Sequence, residues 1–172
     1  VGIILDQKVP VFAAGLGNPG WMIPDAHAQG MKVIGLVGNV KNAKRVAAVD
    51  ADAVVAQGTE AGGHTGRIGT LALVPQVVDA ISPTKVVAAG GIGDGRGLVA
   101  AIALGAEAVW CGTAFLATPE AYIDSQERGE TDQWTRDVQH RKLVSAMDED
   151  TRIGRMYSGK TMRHVYNAWS EA

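Results

Sequence analysis

The stretch AQGTEAGGHTG, residues 56–66, gathers side chains able to do chemistry. It holds Gln57 and Glu60, and it places His64 directly after Gly62 and Gly63. An imidazole titrates near pH ~6.5, so it can take or give a proton at neutral pH. That suits a general base for an acidic carbon-bound proton, or a cation beside a developing anion. Gly62 and Gly63 carry no Cβ, so the backbone can pass close to a flat ligand and present His64 above it. Gln57 stands at the mouth of an apolar run. Its amide has to be paired there, because an unpaired buried polar group costs roughly 1–3 kcal/mol. Either neighbouring backbone or the polar edge of a ligand would pair it. Glu60 reads as a brace for the loop and is not assigned to catalysis.

A second group lies further on. Gly90 and Gly91 end one apolar run, Gly112 and Thr113 end the next, and a helical pattern follows each. Two adjacent turns of bare N–H groups, with a hydroxyl, make a cradle for an anion. The alternative is that these glycines only make tight turns.

The remaining candidates carry less. His27, His140 and His164 are far apart, and none stands beside a cysteine or carboxylate at ligand spacing, so no metal is expected. Ser82, Ser125 and Ser158 lack a G-x-S-x-G elbow and a nearby base. Cys111 falls inside an apolar run and reads as core. Trp110, Trp134 and Trp169 read as packing residues. Arg152, Arg155, Lys160 and Arg163 read as a solvated face, with an acyl-CoA or carrier-protein phosphate as the alternative contact.

The elements that must position these groups follow from the apolar pattern. Five runs read as strands, at residues 9–14, 31–37, 53–56, 85–89 and 108–111. They do not alternate apolar and polar, so each is expected to be buried on both faces, as in a parallel sheet. Helical patterns lie between them at 24–29, 40–49, 71–81 and 97–104, with Thr70 as a cap for the third. A long polar helix is expected after Pro119 through about Ala146. Each strand is followed by glycine: Gly15, Gly38, Gly58, Gly90 and Gly112. The carboxyl ends of parallel strands are where ligands bind.

GLGNPG, residues 15–20, matches the dinucleotide pattern G-x-G-x-x-G. The acid expected at the end of the next strand is missing, since that strand ends Val37-Gly38-Asn39. A (β/α)8 barrel fits better. Five strands do not close one, so the chain reads as strands four to eight of a barrel, with Val1 to Gln7 as the tail of a preceding helix. A first residue of valine is consistent with a fragment or a processed chain. The expected division is a partial barrel over residues 1–146 and a C-terminal extension over 147–172.

Composition sets the outer limits. In 172 residues, hydrophobic types make 47%, charged types 20%, and the net charge is −2. Nothing in that balance calls for nucleic acid or an anionic membrane as partner. No apolar run approaches the ~20 residues of a membrane span. The single cysteine fits a reducing cytoplasm. Two open strand edges would invite self-association, so a homo-oligomer is admitted.

AQGTEAGGHTG, VVAAGGIGDGRG and GAEAVWCGTAFLATPEA, in this order and spacing, resemble the nitronate monooxygenase family, formerly called 2-nitropropane dioxygenases. The resemblance covers residues 8–121 well, and SGKTMRHVYN more loosely. Flavin-dependent enoyl-acyl-carrier-protein reductases share the motifs. The resemblance implies an FMN-binding (β/α)8 barrel that oxidises nitronates or nitroalkanes with O2 to a carbonyl compound and nitrite. The alternative it implies is reduction of an enoyl thioester with NAD(P)H. By the same resemblance His64 is the catalytic residue. Gln57, Gly62 and Gly63 meet the flavin ring, and Gly90, Gly91, Gly112 and Thr113 hold its phosphate. A glutamine rather than a glutamate at position 57 favours the monooxygenase branch.

Overall fold

The computed structural model describes residues 2–15, 17–122, 140–155 and 158–166. It separates into two compact units, Val1–Ala61 with Thr65–Trp110, and Gly62–His64 with Cys111–Ala172.

In the first unit a short helix α1 (Gly2–Asp6) precedes strand β1 (Val11–Ala14). Then follow α2 (Ile23–Ala28), β2 (Lys32–Val37), α3 (Val40–Ala47) and β3 (Ala53–Gln57). The second unit takes the next two-residue strand, β4 (Gly63–His64). The first unit continues with α4 (Thr70–Ile81), β5 (Lys85–Ala89), α5 (Gly95–Ala103) and β6 (Ala108–Trp110). Its five strands are parallel, in the order β1-β2-β3-β5-β6. Each strand therefore lies beside the previous strand of its own sheet. A doubly wound dinucleotide fold reverses this order at a switch point. Uninterrupted succession is what a (β/α)8 barrel requires. Within the GLGNPG match the Asn18 side chain accepts from Gly20 N at 3.0 Å and opens a short 3-10 turn over Pro19–Trp21.

Burial agrees with the apolar runs in the middle of the sheet. The four apolar residues of β3, Ala53 to Ala56, are buried, as are the inward residues of β2 and β5. The α4 residues Leu73, Val74, Val77 and Ile81 recur at helical spacing and are buried in the same core as Val54, Ala56, Val86 and Ala88. The outer strands differ from expectation. β1 and β6 alternate between exposed and half-buried, Val11 is 50% exposed, and Trp110 is 40% exposed. Both are edge strands, paired on one side only among the described residues. Trp110 is thus not a core residue of this chain, and Trp134 and Trp169 lie outside the described residues. Cys111 also departs from expectation: β6 stops one residue earlier, leaving it half-buried.

The second unit adds a fold feature absent from the apolar pattern. β4 pairs antiparallel with β8 (Met162–Val165), and β8 pairs antiparallel with β7 (Thr151–Gly154). Helix α6 (Thr113–Leu116) and a 3-10 turn, Pro119–Tyr122, come before β7 in the chain. Of the long helix expected after Pro119, residues 123–139 lie outside the described residues, and residues 140–145 are helical. The basic face is not simply solvated. Arg163 is half-buried and donates to Thr151 Oγ1 at 2.9 Å, and Arg152 stacks over the Tyr166 ring at 5.2 Å. Among the described residues, no helix is long and apolar enough to cross a membrane.

Asp52 ties the amino ends of two strands together. Its carboxylate accepts from Lys32 Nζ, from His27 Nε2 and from Val33 N, each at 2.8 Å. Partial burial by itself raises this carboxyl. The hydrogen bonds from Lys32, Val33 N–H and His27, with the charge of His27, outweigh it and hold the group at about 2. The folded value lies below the unfolded one near ~3.9. The stabilisation is therefore present above pH ~4 and is lost as pH falls towards ~2. Asp52→Asn is expected to remove it, lowering stability at pH 7 by about 1–2 kcal/mol once solvent screening is allowed for. Denaturant titrations at pH 7 and pH 3 check this. The gap between wild type and variant should be clearly smaller at the lower pH, and a gap unchanged by pH would contradict the assignment.

Candidate functional site

The first unit brings Gln57, Gly90 and Gly91 to one end of the sheet. Gln57 is the last residue of β3 and stands opposite Ala89, the last residue of β5. Gly58 N donates to Ala89 O at 2.9 Å, which carries the pairing one step past the strand. Gln57 is half-buried, and its side chain makes no hydrogen bond among the described residues. Its amide therefore does not spend itself on neighbouring backbone.

The loop after Gln57 is pinned by Glu60. Its carboxylate accepts from Thr70 N, at 2.8 Å and 3.0 Å for the two oxygens, and Oε2 lies 2.9 Å from Thr70 Oγ1. The Thr70 hydroxyl also lies 2.9 Å from Gly90 O and can donate to one acceptor at a time. Thr70 is thus the first residue of α4 and not its cap. Gly69 stands at the cap position, and Glu60 supplies the missing acceptor from ten residues upstream.

This pinning explains most of the strand-end glycines without any ligand. A Cβ on Gly58 would stand 2.5 Å from Thr70 N and 2.6 Å from Glu60 Oε2. A Cβ on Gly38 would stand 2.7 Å from the Gly66 Cα. Gly90 and Gly91 take φ of +104° and +69°, and a Cβ on them would press on Ala61 N at 3.0 Å and Glu60 Cβ at 3.2 Å. Glycine is required at these four positions by the protein itself. The helix after Gly91 is also self-sufficient. Asp94 caps α5 by accepting from Arg96 N and Gly97 N, and the Arg96 side chain, then these N–H groups, hold its carboxyl below the usual range.

The second unit brings together Gly62, Gly63, His64, Gly112 and Thr113. A Cβ on Gly62 would meet nothing nearer than Thr113 Oγ1, at 3.9 Å. Gly63 takes φ of +74° into open space, and Gly112 faces open space at an ordinary φ of −98°. No side chain caps the first turn of α6. His64 is half-buried, held by the β4–β8 pairing, and its Nε2 lies 2.6 Å from Ser158 Oγ. Ser158, passed over in the sequence for want of a base beside it, is thus the ring's partner. The two are 94 positions apart, which no motif spacing reveals.

These observations test the fit of a flavin nucleotide. Gly62, Gly63 and Gly112 leave open space, the Gln57 amide is unengaged among the described residues, and the buried Thr65 hydroxyl has no partner there. Within the first unit the unengaged Gln57 amide suits the polar edge of such a ligand, and within the second the gaps beside Gly62, Gly63 and Gly112 leave room for its anionic end. Gly90 and Gly91 differ, because their contacts already account for them.

Comparison with known proteins gives the family. The nitronate monooxygenase family profile matches residues 1–172. A Rhodococcus jostii enzyme, a 5-hydroxy-7a-methyl-1-oxo-octahydro-indene-4-carboxyl-CoA dehydrogenase, is 39% identical over 95% of this chain and 42% of its own length. FabK from Thermotoga maritima superposes with a TM-score of 0.85 at 38% identity, over 99% of this chain and 50% of that one. Nitroalkane oxidase from Streptomyces ansochromogenes superposes with a TM-score of 0.76 at 34% identity, over 99% of this chain and 49% of that one. The chain spans about half the length of the relatives it matches, in keeping with five units of a (β/α)8 barrel. It belongs to the nitronate monooxygenase family.

Proposed function

We propose that this chain is part of an FMN-dependent oxidoreductase that oxidises nitronates or nitroalkanes with O2 to a carbonyl compound and nitrite. The observation that carries this reading is His64, fixed on a strand pair directly after Gly63, where a Cβ would meet nothing within 4 Å among the described residues. In this reading residues 1–146 belong to the flavin-binding barrel and 147–172 form a C-terminal extension. Gln57, Gly62 and Gly63 meet the flavin ring. Gly112 and Thr113 offer backbone N–H groups and a hydroxyl to the phosphate, and the Gly90–Gly91 turn offers backbone N–H groups to it as well. Bound FMN would supply the electron acceptor and the reactivity towards O2. His64 takes the proton from the carbon that bears the nitro group, or steadies the anion when the substrate arrives as nitronate. The small-molecule substrate and O2 are the only partners the reading needs, and its setting is the cytoplasm.

A second reading has its own support. The Rhodococcus relative acts on a CoA thioester by name, and FabK gives the higher TM-score of the two superpositions. An acyl thioester with a nicotinamide is therefore the competing substrate pair. One assay separates them. Nitrite release from a nitronate in air, without NAD(P)H consumption on an enoyl thioester, is the expected result. NAD(P)H consumption without nitrite would establish the second reading instead.

A further inference from the structure

The contact between His64 and Ser158 carries an inference that rests on His64 acting as the base. One hairpin supplies both partners of this residue. Its strand β8 pairs with the backbone of β4, setting His64 opposite Met162. The turn between β7 and β8 carries Ser158, and Gly159 N closes that turn on Arg155 O at 2.8 Å, with Gly159 at φ +71°. Ser158 Oγ then stands 2.6 Å from His64 Nε2. A hydroxyl at that distance leaves no room for a substrate carbon on the same nitrogen. Nδ1 makes no hydrogen bond among the described residues.

A base must offer a bare lone pair to the substrate. With Nε2 occupied, that lone pair has to be on Nδ1, and in the neutral ring the proton then sits on Nε2 and is donated to Ser158 Oγ. We infer that Ser158 is a positioning residue that holds His64 in the Nε2–H tautomer and so makes Nδ1 the nitrogen that exchanges a proton with substrate. The substrate's C–H proton moves to Nδ1, and the electron pair stays with the substrate carbon. Ser158 goes on accepting from Nε2 in the resulting imidazolium. A hydrolytic serine–histidine pair needs the reverse arrangement, a bare Nε2 to take the Oγ proton and a carboxylate on Nδ1. No carboxylate bonds Nδ1 among the described residues.

The test uses the intact, flavin-loaded protein with 15N-labelled histidine and no substrate. Long-range proton–nitrogen spectra should show neutral His64 with a bare Nδ1 and a resolved, exchange-protected Nε2–H signal. Ser158→Ala should lose that protected signal and lower kcat on a neutral nitroalkane about tenfold, with KM and flavin content held. Ser158→Thr keeps the hydroxyl and should restore both. A bare Nε2 in the wild type, or the same protected signal in Ser158→Ala, would overturn the inference. Because the spectrum involves no turnover, a protein with the expected signal but no activity on nitro compounds would count against the proposed reaction and leave the role of Ser158 standing.

Discussion

His64→Asn in the intact protein is expected to keep FMN bound while turnover of a neutral nitroalkane falls by about 10²–10⁴. Asparagine has similar reach and can take over contacts within hydrogen-bond distance, but it cannot accept a proton near neutral pH. His64 lies in β4, whose backbone is held by the register with Met162 and Arg163 whatever the side chain. The fold around it should survive. The preformed anionic nitronate has already lost its proton, so its turnover should fall much less. Steady-state kinetics on the two forms of one substrate check this. Equal losses on both, with flavin retained, would make His64 a charge-stabilising group. Loss of flavin would make it structural.

Gly112→Phe is expected to weaken FMN binding by on the order of a hundredfold, the value of about two hydrogen bonds to a charged group. Riboflavin, which lacks the phosphate, should be affected far less. Gly112 is the suitable position because its φ is an ordinary −98° and a Cβ there meets nothing within 4 Å. The corresponding change at Gly91 would force a side chain into φ +69° against Glu60 and damage the loop regardless of ligand. Fluorescence titration with the two flavins decides the matter. Equal losses for FMN and riboflavin would mean that Gly112 serves only the fold.

The five parallel strands were legible because each is a short apolar run closed by glycine, although only the middle strands are buried on both faces in this chain. The covered residues of β3, Ala53 to Ala56, show this most plainly. The helices between them were legible for the same reason, with ends displaced by a few residues. Thr70 was read as a cap because its type fits one, yet the acceptor that caps α4 is the Glu60 carboxylate, reaching across the loop. β4, β7 and β8 left no pattern. They hold two to four residues each, and β4 is held only by a partner strand about a hundred positions away. The His64–Ser158 and His27–Asp52 pairs were invisible for the same reason: both are made by the folded chain and not by local spacing. The glycines were legible as a set but not by role. Only the surrounding atoms separate Gly58, Gly90 and Gly91, which the protein itself requires, from Gly62 and Gly112, which face open space.

The flavin is the centre of the account, and the absorption spectrum of the intact purified protein tests it most directly. The predicted result is a yellow protein that releases FMN, one molecule per chain, into the supernatant on denaturation. A protein that is colourless as purified, and gains no flavin absorbance after incubation with excess FMN and removal of the unbound nucleotide, would contradict it.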